Sequence, residues 1–134
     1  MQVIYSSRTG NTRKVAEAMA SEIGTEALDV RSGPQLEKGS VVFLGSGCYA
    51  SRPDKKMLAF IEKNSFNGIK VALFGTSGSG EGKEVQVMEQ ALREKGAVIK
   101  GRFFCRGKFL FSGRGHPSQE ELSRAREFAR KTIR

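Results

Sequence analysis

Ser7, Thr9 and Thr12, with Arg8, Gly10 and Asn11 between them, stand where a short apolar run, Val3-Ile4-Tyr5, gives way to an amphipathic one beginning Arg13-Lys14-Val15. Three hydroxyls, an amide and a glycine at a helix start can hold an anion. The first backbone N–H groups of a helix lack partners inside it and lie at the positive end of its dipole. Gly10 lets the backbone approach a ligand without a Cβ in the way, and the side chains add donors. The same residue types make ordinary helix caps, so the loop fits either a phosphate site or a plain N-terminus. This loop holds neither a Gly-Lys-Ser/Thr nor a Gly-x-Gly-x-x-Gly sequence. Two more Gly/Ser-rich stretches follow apolar runs: Ser46, Gly47, Cys48, Tyr49 and Ala50, then Thr76, Ser77, Gly78, Ser79, Gly80 and Gly82. Tyr49 offers a face for stacking on a planar ligand. Cys48 has Arg52 close in sequence, which would favour a thiolate, but without a second cysteine nearby it reads as a small loop residue.

Other chemistries lack their residues. Cys48 and Cys105 have no metal-ligand spacing, and His116 is the single histidine, so no zinc site is expected. A Ser-His-acid set cannot be built around His116, which reads as a turn residue before Pro117. A phosphorelay receiver needs carboxylates after the first strand and an Asp after the third; Tyr5-Ser6-Ser7 and Gly45-Ser46-Gly47 supply neither. From Arg102 to Phe111 aromatics alternate with cations, as on a single-stranded nucleic-acid platform. Phe103 or Phe104 must nevertheless turn into the core, and a nucleic-acid partner is not expected. Phe109 and Phe111 are left to shield a ligand, meet a partner or close the end of the sheet.

The elements that position these loops are legible as periodicity. Strands are predicted over residues 2–6, 27–30, 41–45, 70–74 and 98–105. Helices are predicted over about 11–23, 54–64, 83–95 and 117–133, with Val15, Met19 and Ile23, or Val85, Met88 and Leu92, turned inward. The chain reads as five β-α units in strict alternation, hence a parallel sheet with helices on both faces. In that architecture ligands bind beyond the carboxyl ends of the strands, where the strand order reverses. The loops after strands one, three and four are therefore the candidate site.

The 134 residues are expected to form one domain, residues 1–134, without a signal peptide or membrane span. A soluble cytoplasmic protein is the expectation. Residues 1–99 hold 13 basic and 11 acidic side chains, whereas residues 100–134 hold 10 and 3. The net charge of +9 is thus concentrated in the last third. This fits either steering toward an acidic partner or a solvated basic face.

Ser7-Arg8-Thr9-Gly10-Asn11-Thr12 after a first strand resembles the phosphate-binding loop of flavodoxins. Val71-Ala72-Leu73-Phe74-Gly75 with Gly78, Gly80, Glu81 and Gly82 resembles their fourth strand and second flavin loop, and Gly45–Pro53 falls where their first flavin loop lies. The resemblance implies a flavodoxin-like three-layer α/β sandwich, a five-stranded parallel sheet of order 2-1-3-4-5, and FMN as cofactor. It places the phosphate on residues 7–12 and the ring between residues 46–52 and 76–82. Its implied function is electron shuttling between a reductase and an acceptor protein, and the basic charge of this chain would suit partners with acidic docking surfaces. Alternatives are an FMN-dependent reductase of a quinone or tetrapyrrole and a flavin-free interaction module. Phe103, Cys105, Gly107 and Lys108 also resemble a stretch of a subgroup that accompanies reductases of tetrapyrrole-like substrates. The chain departs from flavodoxins in having Ser77 and Ser79 where an aromatic often stands, in its basic charge, and in Ala50 at the place of a glycine in the first flavin loop.

Overall fold

A computed structural model describes residues 1–107 and 115–134. Phe109 and Phe111, to which a shielding or docking role was open, lie outside the described residues. Strands β1 (Gln2–Ser6), β2 (Ala27–Asp29), β3 (Val42–Tyr49), β4 (Arg52–Pro53), β5 (Lys70–Ser77) and β6 (Val98–Arg106) and helices α1 (Asn11–Ile23), α2 (Lys55–Lys63), α3 (Lys83–Glu94) and α4 (Gln119–Thr132) make up the domain. The long strands pair in parallel in the order β2-β1-β3-β5-β6, and β4 folds back antiparallel on β3. With the two-residue β4 set aside, this is the expected order 2-1-3-4-5.

The alternation of side chains along each strand builds the three layers. Ile4, Val42, Leu44, Val71 and Leu73 point to one face, where Met57, Phe60 and Ile61 of α2 and Val85, Met88 and Leu92 of α3 cover them. Val3, Tyr5, Phe43, Ala72 and Phe74 point to the other, under Val15, Met19 and Ile23 of α1 and Ala125 and Ala129 of α4. Phe103 joins this second face with its ring centre 5.8 Å from that of Phe128, whereas Phe104 is 45% exposed.

Three expectations are corrected. The turn-rich segment after β2 holds a single 3-10 turn, Val30–Ser32, where strict β-α alternation requires a helix, so the alternation is not strict. Asp29 caps this turn and Gly33 ends it, leaving too little chain before β3 for a packed helix. Residues 46–49 are not loop: they continue β3, because their backbone still pairs, Ser46 with Gly75 and Gly47 with Thr76 of β5. Likewise β5 continues through Thr76 and Ser77 by pairing with Cys105 and Arg106. Polar and glycine residues ended the apolar runs early in the sequence, yet backbone pairing does not depend on side-chain hydrophobicity.

Candidate functional site

The carboxyl ends of β1, β3 and β5 converge on a cleft of about 220 Å³ lined by Arg8, Thr9, Asn11, Thr12, Gly47, Cys48, Tyr49, Thr76, Ser77, Gly78 and Gly107. β1 lies between β2 and β3, so this is the point at which successive connections leave in opposite directions. A larger cleft of about 620 Å³, between residues 30–38 and α2, contains none of the loop residues. The smaller one gathers the loop residues at the carboxyl ends of the strands and is the candidate site.

Its floor is the start of α1. Gly10 caps the helix in a left-handed conformation, φ 92°, and as a glycine it has no side chain of its own to cover the first N–H groups. Ser7 Oγ accepts from the Gly10 N–H at 3.1 Å, folding the loop so that it turns into the helix. Thr9 Oγ1 accepts from Asn11 Nδ2 at 3.1 Å. Thr12 is buried, and its hydroxyl lies 2.8 Å from that of Thr76, tying α1 to β5. The second Gly/Ser loop repeats the first turn, with Ser77 Oγ accepting from the Gly80 N–H at 2.8 Å. A helix start capped by glycine turns its positive dipole end toward the cleft, which suits a phosphate.

The wall is Tyr49, at the end of β3. The Arg8 guanidinium lies 3.9 Å from its ring centre, and the Arg8 N–H donates to the phenol oxygen at 3.2 Å. Arg8 Nε also donates to Asp54 Oδ2 at 3.2 Å. Asp54 is buried and caps α2, its own N–H donating to Ser46 Oγ at 2.8 Å. Burial raises the pKa of the Asp54 carboxyl, but hydrogen bonds from the Lys56 backbone and Arg8 outweigh it and leave it below the usual value. One polar chain thus ties the loop after β1 to the ends of β3 and α2. Ala50 and Ser51 close the hairpin between β3 and β4 with φ of 53° and 65°.

The cysteines are not poised for nucleophilic work. Burial first, then the neighbouring Glu84, pushes the Cys48 thiol up to about 11. Burial pushes Cys105 up to about 12. His116 contacts Glu121 as part of the cap of α4, and no cluster of metal-ligating side chains occurs among the described residues.

Of the sequence-predicted residues, the cleft brings together Arg8, Thr9, Asn11, Thr12, Gly47, Cys48, Tyr49, Thr76, Ser77 and Gly78. Ser7, Gly10, Ser46, Ala50, Ser79, Gly80 and Gly82 do not line it. Ser7, Gly10, Ser46 and Ala50 shape its turns, and Gly82 caps α3. Sequence reasoning missed Gly107, whose N–H donates to the Ser77 carbonyl at 2.9 Å, and the Asp54 bridge to Arg8. It also missed Glu84. A signal for Glu84 was present: it stands four residues before Met88 and eight before Leu92, on the inward face of α3.

Fold and site define an α/β domain with a glycine-capped helix start at the switch point of a parallel sheet. The family described as flavodoxin domain matches residues 2–113, and the chain belongs to this family. It is 33% identical over 117 residues to a flavodoxin-like domain-containing protein, BilS, of Clostridioides difficile, covering 79% of this chain and 65% of that protein. The chain therefore spans less than two-thirds of that relative's length. It is 32% identical over 110 residues to a flavodoxin of Clostridium beijerinckii, covering 74% of this chain and 80% of the relative. Oxidised flavodoxin 1 of Bacillus cereus shares the fold, with a TM-score of 0.76 and 22% identity across 98% of this chain and 95% of that one.

Proposed function

We propose that this chain binds FMN in the cleft between residues 7–12, 47–49 and 76–78 and passes electrons between a reductase and an acceptor protein. The observation that carries the reading is the glycine-capped start of α1, opening on a cleft walled by the ends of β3 and β5. The flavodoxin family membership supports the same cofactor. Bound FMN would supply the redox chemistry, while the protein positions the flavin and sets its surroundings.

The backbone of residues 9–12 and the Thr9 hydroxyl would hold the phosphate, with the dipole of α1 favouring its charge. Arg8 and Tyr49 serve the ring end. Arg8 occupies the Tyr49 ring, so a flavin stacking on that ring requires the guanidinium to swing aside while Asp54 keeps it nearby. Gly47 lets Tyr49 lie against the end of β3, since a Cβ there would sit 2.6 Å from the phenol oxygen. Thr76 and Ser77 form the opposite edge. No helix among the described residues is long and apolar enough to cross a membrane, and the partners are proposed to be redox proteins.

The test is optical. The purified protein, or the protein after FMN is added, should show a bound-flavin visible spectrum, and heat should release a compound of FMN's mass. A released FAD, or no affinity for FMN at micromolar concentration, refutes the assignment.

A further inference from the structure

Glu84 is fully buried, at 0% exposure, in the first turn of α3. Neither carboxyl oxygen has a hydrogen-bond partner of normal geometry. Burying a carboxylate in this way is costly, and the usual outcome is that the group keeps its proton. The space it occupies is made by Gly75 of β5: a Cβ there would lie 2.2 Å from Glu84 Oε1. Cys48, one of three β3 residues that line the cleft, interacts with the Glu84 carboxyl. Cys105 of β6 is the other titratable group that feels it electrostatically. β4, β5 and α2 bring it no charged partner among the described residues. Beside it in sequence, Lys83 is exposed and pairs with Glu81 at 3.4 Å. The result is a buried carboxyl beside a thiol that lines the cleft, without a cation acting on the carboxyl among the described residues.

We propose that the Glu84–Cys48 pair sets the charge beneath a bound flavin, with Glu84 as a positioning residue that holds a proton and Cys48 as the group that separates it from the cleft. The proposal rests on the reading of the cleft as a flavin site. FMN carries a phosphate, and an added electron brings further negative charge to the ring. A neutral acid below tolerates both, whereas a carboxylate opposes both through a poorly screened interior. Loss of the Glu84 proton therefore weakens binding and disfavours electron uptake. Burial holds the Glu84 carboxyl above its ordinary value, opposed first by its own backbone N–H and then by the neighbouring Cys48 thiol.

The experiment compares the parent with Glu84→Gln, a neutral near-isostere, and with Cys48→Ala. Infrared spectra of the FMN-free proteins read the carboxylic-acid C=O stretch, and FMN titrations read affinity, both from just above the ordinary carboxyl value of 4.5 to about pH 9. The parent should show a buried acid band at neutral pH that Glu84→Gln lacks. In Cys48→Ala that band should persist to higher pH. FMN affinity of the parent should fall by roughly tenfold as the band disappears, while Glu84→Gln stays flat apart from the phosphate's own ionisation near about pH 6, common to all three proteins. Identical bands or identical pH profiles in parent and Glu84→Gln overturn the proposal. Failure of both to bind FMN at any pH overturns the flavin reading and this role with it; a normal infrared titration alongside would place the fault in the ligand and not in the pair.

Discussion

The hairpin between β3 and β4 is closed by two residues, Ala50 and Ser51, both with positive φ, since Tyr49 pairs directly with Arg52. A two-residue loop with both central residues left-handed is a type I′ turn, which suits Asn-Gly and similar sequences. A residue with a Cβ costs about 1–2 kcal/mol in that conformation relative to glycine. Glycine in turn gives back about 0.4–1 kcal/mol through the freedom of the unfolded chain. Ala50→Gly or Ser51→Gly should therefore stabilise the protein by about 0.5–1 kcal/mol. At about 2.1 cal/mol/K of unfolding entropy per residue, a chain of 134 residues gains roughly 2–4 °C in Tm for each substitution. Urea and thermal unfolding of the FMN-free proteins measure this without interference from ligand linkage. Ala50→Pro, whose ring fixes φ near about −65°, should destabilise. A glycine variant no more stable than the parent would refute the left-handed assignment, and with it the hairpin that presents Tyr49 to the cleft. In the loaded protein, a reductive titration of Ala50→Gly should accumulate more one-electron-reduced protein than the parent if Ala50 occupies the matching position of the flavin loop.

The remaining predictions concern the cleft and the surface. Thr9→Ala should cost about 1.5–3 kcal/mol of FMN affinity by calorimetry or fluorescence quenching and leave stability unchanged, as expected for one lost bond to a charged phosphate. Thr12→Ala leaves the buried Thr76 hydroxyl without the partner it has at 2.8 Å, so it should also lower unfolding stability by about 1–3 kcal/mol. The pH dependence of stability has two parts. Hydrogen bonds from Arg102 hold Glu89 at about 2, and Glu121 lies at about 2 because bonds from His116 and two backbone N–H groups outweigh its burial. Their stabilisation is complete above the unfolded carboxyl value of 4.5 and should be lost as pH falls from there toward 2 in acid denaturation. Glu84 has the opposite sign: its raised value removes stability as pH climbs above 4.5, so Glu84→Gln should gain on the parent with rising pH. Finally, electron transfer to an acidic partner should slow with salt and with Arg126→Glu, while FMN affinity stays constant. Arg126 is the better probe because Arg124 and Arg130 already pair with Glu120 and Glu22. Rates indifferent to salt and to this reversal would favour a small-molecule reductase.

What the sequence determined by itself was everything governed by local periodicity and turn chemistry. Apolar runs at strand spacing and the i, i+4 faces of four helices were enough for the layer order, because each element must bury one face against its neighbour. The run from Ser7 to Thr12 was enough to mark the anion-accepting end, because helix starts have unsatisfied donors wherever they occur. What only the tertiary structure decided depends on residues far apart in the chain. Strand register carries β3 and β5 four and three residues past the predicted runs, turning parts of two expected loops into the walls of the cleft. It sets Asp54 against Arg8, 46 residues away, and Thr12 against Thr76, 64 residues away. It also closes the space around Glu84, an acid whose place on the inward face of α3 was readable but whose burial depends on Gly75 of β5 and Cys48 of β3. A side chain's own pattern tells which way it points; what it meets there is set by the packing of elements brought together only by the fold.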